Sequence, residues 1–198
     1  ALAVVSGIAE QDKYPYIIDL FKKQFYASPY MEKYVMEALF VMGEGKYAME
    51  RMQKRFAPMV NHPFYTTLFE GWDIGPNGFG GGTVNHAWSG GPLIVIARYV
   101  CGIEPLDAAY KTFRIAPDDT YLHQAAINVP TIAGEIRSSF ESSDKDFKME
   151  ITVPKNTQAI LQLPKSVNGE VRVNGKVFSK QDCTLSAGTY TIIAKKNR

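Results

Sequence analysis

This chain has two cysteines, three histidines and no apolar run long enough to cross a bilayer, and these scarcities set its first limits. Cys101 and Cys183 stand far apart, so no disulfide framework follows, and redox chemistry does not fix the compartment. His62, His86 and His123 are too widely spaced for a zinc site, and no HExxH, GxSxG, P-loop or dinucleotide fingerprint occurs. Neither a metal nor a cofactor is expected. The longest apolar run, Pro92 to Ile103, is broken by Arg98 and is too short for a membrane span. A net charge of +2, with no basic block among aromatics, excludes nucleic acid as an obvious partner. The basic end Lys195-Lys196-Asn197-Arg198 reads as a solvated, frayed tail. The start ALAVVSGIAEQ lacks the charged region of a signal peptide and reads as the end of a helix, as in a piece of a longer protein.

What is present divides in two. The first hundred residues carry apolar stripes at helical spacing. Ile17, Ile18, Phe21 and Phe25 form one stripe, and Met31, Val35, Ala38, Leu39 and Met42 form another. The second begins at a Ser28 cap with Pro29 behind it and stops at Gly43. Ala48, Met52, Phe56 and Met59 mark a third helix, with Lys46, Glu50, Arg51, Lys54 and Arg55 as its expected solvated face. Ser89 to Cys101 reads as a further, buried helix capped by Ser89. The methionines at helical spacing are core filling.

Beyond Pro105 the pattern becomes short alternating runs between turns. Lys111–Ile115, Met149–Val153, Ala159–Leu163, Val171–Val173 and Tyr190–Ala194 are predicted strands. In VRVNGKVF, Asn174-Gly175 is a strong hairpin signal, because both turn residues must take positive φ. The fold class expected is α + β in two domains: helical hairpins over residues 1–106, then an antiparallel β-sandwich over 107–198.

Within the helical part lies TTLFEGWDIGPNGFGGGTVNHAWSGG, residues 66–91, which holds half of the sixteen glycines and both tryptophans. Long glycine-rich connections inside compact domains are functional or disordered, and the aromatics favour order. Glu70 stands between Phe69 and Trp72, where partial desolvation suits a carboxylate for accepting a proton. Asp73 shares the stretch without a defined geometry to Glu70. Asn85 and His86 can bond hydroxyls, and Trp72, Phe79 and Trp88 offer flat apolar faces. Together these are the lining of a sugar site. The ordinary alternatives are a carboxylate near a helix start, a capping imidazole and tryptophans in the core.

The strings YASPYMEKYVMEALFVMGEGKYAMERMQKRF, TTLFEGW and NHAWSGGPLIVIARYVCGIEPL resemble the C-terminal half of the catalytic barrel of bacterial α-L-rhamnosidases, glycoside hydrolase family 78. YKTFRIAPDD resembles the start of that family's C-terminal β-sandwich. The pair TTLFE and NHAWSGG carries the resemblance. It implies that residues 1–106 are half of an (α/α)6 toroid. It also implies an inverting hydrolase removing terminal α-L-rhamnose from glycosides, with one carboxylic acid protonating the leaving oxygen and a second carboxylate activating water. The general base then matches Glu70, and the sugar-contacting histidine matches His86, with Asn85, Trp72 and Trp88 as candidate substrate contacts.

Two departures accompany the resemblance. The family usually places tryptophan before the base, where this chain has Phe69. The family's general acid lies upstream, in the other half of the barrel, which becomes an expected partner. The residues leave the compartment unknown, and a periplasmic or extracellular setting is what the resemblance implies. By itself the chain is expected to be inactive. The rival class is a non-catalytic module that binds carbohydrate or protein.

Overall fold

The computed structural model describes residues 1–73, 82–178 and 182–196. The chain separates into two compact units, Ala1–Val95 and Ile96–Arg198, and its helices and sheets form an α + β fold.

In the first unit a short helix α1 (Leu2–Val5) precedes α2 (Tyr14–Lys23), α3 (Pro29–Val41) and α4 (Gly45–Val60). The Ser28 side chain accepts the Met31 N–H at 3.3 Å and starts α3 as its sequence predicts. Gly43 at φ +84° lets the chain leave α3. Val4, Phe21, Val35, Ala38, Leu39 and Ala48 share one apolar core. Met52, Phe56 and Met59 are also buried, on the inward stripe of α4.

Three expectations for the helices need correction. Phe25 is not on the α2 stripe, because the backbone turns extended at Gln24 and the helix has already ended. Lys46, Glu50 and Lys54 of α4 are exposed, but Arg51 is only 3% exposed and Arg55 is half-buried. Both arginines donate to Glu32 of α3, which is fully buried. The segment after the glycine-rich stretch begins with a 3₁₀ turn at Ala87–Gly90 and continues as α5 (Gly91–Val95). Ser89 therefore lies inside a turn instead of capping a helix, and its buried hydroxyl donates to the Phe69 carbonyl at 2.6 Å. Leu93 and Ile94 of α5 are 65% and 52% exposed, so this helix is not buried within the unit.

The second unit opens with a π-helical turn at Ile96–Val100 and ten strands follow among the described residues. These are β1 (Ile103–Pro105), β2 (Thr112–Ile115), β3 (Gln124–Thr131), β4 (Gly134–Ser142), β5 (Asp146–Val153), β6 (Gln158–Gln162), β7 (Val171–Val173), β8 (Lys176–Phe178), β9 (Asp182–Leu185) and β10 (Gly188–Lys195). One sheet has the order β1-β2-β6-β9 and the other β3-β4-β5-β10-β7-β8. Phe113, Ile115, Ala159 and Leu161 from the first meet Ile136, Phe140, Phe147, Met149, Ile151 and Ile192 from the second in one core. All pairs are antiparallel except β2 with β6, which is parallel, so the smaller sheet is mixed. The parallel pair arises because β3, β4 and β5 form in the other sheet before the chain returns as β6.

Alternation is cleanest in β5, where Phe147, Met149, Ile151 and Val153 face inward. The β7–β8 hairpin turns on Asn174 at φ +47° and Gly175 at φ +79°, as its Asn-Gly pair predicts. The frayed tail expected is not found at Lys195 and Lys196, while Asn197 and Arg198 lie outside the described residues. Lys195 belongs to β10, and the Lys196 ammonium reaches the nearly buried Asp119 carboxylate at 2.5 Å.

Gly102 has φ +70°, and a Cβ there would lie 1.9 Å from the Ala116 carbonyl oxygen. Gly102→Ala should lower stability by about 1–3 kcal/mol from the positive φ alone, with the collision added, as read by urea unfolding. Asp119 also receives the hydroxyls of Ser142 and Ser166, at 2.6 and 2.8 Å. Burial opposes its charge, but Lys196 and the two serines outweigh burial and hold its carboxyl below the usual carboxylate range. A depressed folded value means that its stabilisation is complete above the unfolded value of about 3.9 and disappears as pH falls through the folded one. Unfolding midpoints should therefore drop below about pH 4, and Asp119→Asn should flatten that acid slope.

Candidate functional site

The two flanks of the glycine-rich stretch clasp each other. Glu70 N–H donates to the Thr83 carbonyl at 2.9 Å, and His86 N–H donates to the Leu68 carbonyl at 2.8 Å. The Thr67 hydroxyl adds a bond to the Val84 carbonyl. Phe69 is buried at 2% exposure and fixes the first flank, while its carbonyl receives Ser89 from the second. These bonds bring two polar side chains, sixteen residues apart in sequence, to one place.

Thr83 is the junction. Its N–H donates to Glu70 Oε2 at 3.0 Å, and its hydroxyl lies 3.4 Å from the same oxygen and 2.8 Å from His86 Nδ1. The imidazole Nδ1 is 3.7 Å from Glu70 Oε2. Trp88 packs beside His86 with ring centres 4.3 Å apart and planes tilted by 48°, and its indole N–H donates to the Glu70 carbonyl at 3.4 Å. Tyr30 of α3 extends this aromatic surface, 5.4 Å from Trp88 and tilted by 34°. Trp88 and Tyr30 are 42% and 39% exposed, so both present ring surface to solvent. A carboxylate oriented by a backbone N–H can accept a proton from water, and the adjacent imidazole and indole can meet hydroxyls and an apolar sugar face.

Of the residues expected from sequence, Glu70, His86 and Trp88 come together, and Asn85 is exposed next to His86. Trp72 sits apart from that cluster. Its N–H donates to the Ala27 carbonyl at 2.7 Å, one ring face lies 3.9 Å from the Arg55 guanidinium, and Phe56 meets it edge-on. Phe79 falls outside the described residues, and Asp73 is exposed. His62 organises the approach to the stretch, because its Nδ1 accepts the N–H groups of Phe64 and Tyr65.

Sequence reasoning missed Thr83 and Tyr30. Nothing in the spacing of Thr83 marks it as the bridge, whereas Tyr30 and Tyr34 form an aromatic i,i+4 pair that marks an aromatic face of α3. No group of three metal-ligating side chains occurs among the described residues. The Cys101 thiol is pushed up to about 11 by burial and is unsuited to nucleophilic work. An open trough of about 360 Å³ on the six-stranded sheet is lined by Gln124, Ser139, Glu141, Lys148 and Glu150. Lys148 there is paired with Glu150, and the neighbouring Phe140 is buried in the core.

Residues 102–178 match the bacterial α-L-rhamnosidase C-terminal domain. An α-L-rhamnosidase of Formosa agariphila is 30% identical over 120 residues, covering 58% of this chain and 13% of that protein. The α-L-rhamnosidase of Streptomyces avermitilis, solved in complex with L-rhamnose, superposes with a TM-score of 0.72 at 19% identity, covering 92% of this chain and 19% of that one. A family 78 rhamnosidase of Bacillus sp. GL1 superposes with a TM-score of 0.67 at 24% identity, covering 82% of this chain and 18% of that one. The chain spans 13% and 14% of the length of the curated relatives it matches. No helix among the described residues is long and apolar enough to cross a membrane. The chain is therefore similar to a segment of bacterial α-L-rhamnosidases, and its residues 102–178 match their C-terminal domain.

Proposed function

We propose that this segment is part of an inverting α-L-rhamnosidase that releases terminal α-L-rhamnose from glycosides, and that Glu70 is its water-activating general base. The observation that carries the reading is the meeting of Glu70 and His86 at Thr83, within 3.7 Å of each other and against the ring of Trp88. In an inverting reaction the base removes a proton from water as that water attacks the anomeric carbon, while a separate acid protonates the departing oxygen. Glu70 takes the first role. His86 and Asn85 bond sugar hydroxyls, and Trp88 offers its exposed face to the ring and the methyl group of the deoxy sugar. Trp72 contributes through the surface that Arg55 leaves uncovered.

On this reading residues 1–106 are the C-terminal half of an (α/α)6 barrel and residues 107–198 its β-sandwich. The acid is supplied by the other half of that barrel. The exposure of Tyr16, Leu20, Leu93 and Ile94 on the helices supports further helices packing there. The same exposure is the one observation favouring the rival, a helical and β-sandwich module that binds carbohydrate or protein without catalysis.

In a rhamnosidase containing this segment, Glu70→Gln should lower kcat on an aryl rhamnoside by about 10²–10⁴-fold. The amide keeps an acceptor for the Thr83 N–H, so thermal unfolding should be unchanged. Undiminished turnover would remove Glu70 from the reaction and favour the binding module.

A further inference from the structure

We infer that Arg55 is a positioning residue that holds the Glu70 flank in place through the indole of Trp72. The kinetic part of this inference rests on the reading of Glu70 as base, and the geometric part does not. Arg55 is fixed along its edge. One guanidinium nitrogen donates to Glu32 at 2.6 Å, and another donates to the Phe25 carbonyl at 3.0 Å. Glu32 is itself fully buried and is also held by Arg51, through Nε and, at 3.2 Å, through Nη2. A guanidinium bonded along its edge has its flat face left for stacking, and that face lies 3.9 Å from the Trp72 ring.

Trp72 is thereby held from three directions: its face by Arg55, its N–H by the Ala27 carbonyl and its side by Phe56 at 5.1 Å. Two residues before it in the chain stands Glu70, whose bonds among the described residues run to Thr83, Trp88 and the His86 imidazole on the second flank. Gly71 follows Glu70 directly and more glycines come after Trp72, so local backbone preference does little to fix Glu70 on that side. The indole substitutes for that missing rigidity by tying the flank to α3 and α4. Lysine at position 55 would keep the charge beside Glu32 but has no plane to stack on the indole while also reaching the Phe25 carbonyl.

The test compares wild type, Arg55→Lys and Trp72→Phe by amide hydrogen exchange of the chain. The Glu70 and Thr83 amides and the Trp72 indole N–H in the lysine variant should exchange about tenfold faster or more, while core amides of α3, such as Leu39, keep their wild-type rates. Trp72→Phe should speed the same two amides, and it serves if the lysine variant does not fold. In a rhamnosidase containing the segment, Arg55→Lys should lower kcat by about 10²-fold, the effect of a misplaced group, with little change in KM. Unchanged exchange at Glu70 and Thr83, or an equal rise across all helices, would overturn the inference. Faster exchange at those amides, together with full activity of Glu70→Gln, would uphold the tether and refute the assignment of the base.

Discussion

The buried carboxylate of Glu32 organises the helical unit. Glu32 has no exposure to solvent and is shared by two arginines of α4. Taking such groups out of water costs several kcal/mol per ion, which only well-formed bonds can offset. The bonds here extend beyond the pair. Arg51 also donates to the Phe21 carbonyl and, at 3.4 Å, to the Gln24 carbonyl, while Arg55 reaches the Phe25 carbonyl. Those oxygens belong to the last turn of α2 and the chain just after it, where a helix leaves carbonyls unbonded and carries negative partial charge. Burial opposes the charge on Arg51, but the bond and charge of Glu32 outweigh it and raise its pKa further, whereas burial dominates at Arg55 and lowers it. Three helices are joined at one point, and the stack on Trp72 carries that rigidity toward the glycine-rich stretch.

The β unit uses the same device at Asp119, at smaller scale. Asp119 is nearly buried and gathers Lys196, Ser142 and Ser166 from segments far apart in sequence. Around it the stabilisation is apolar, from one core shared by two sheets. Edge protection is visible in β3, where Pro130 stands in an outer strand that needs no second partner for its backbone.

What could be read in advance follows from how local the determining interaction is. The Ser28 cap, the Gly43 stop, the alternation of β5 and the Asn174-Gly175 turn depend on neighbours within a few residues, and each stands where its sequence places it. The strands β3 and β4 were not legible. Asn128 and Pro130 interrupt one, and buried Ser138 occupies an inward position of the other. Arg51 and Arg55 read as a solvated face because their partner lies 19 and 23 residues away and nothing in α4 announces it. The site divides the same way. Its acid, imidazole and Trp88 were visible as an unusual cluster of residue types, whereas the Thr83 bridge and the Arg55–Trp72 stack exist only in three dimensions.

The measurement that bears most directly on this account is the equilibrium unfolding of Glu32→Gln. Both tryptophans, Trp72 and Trp88, lie in the helical unit, so their fluorescence follows that unit alone. Removing one partner of a buried ionic cluster leaves the others uncompensated, and the account predicts a loss of about 3–5 kcal/mol. A loss below about 1 kcal/mol, the range of a surface pair, would contradict the organising role given to Glu32.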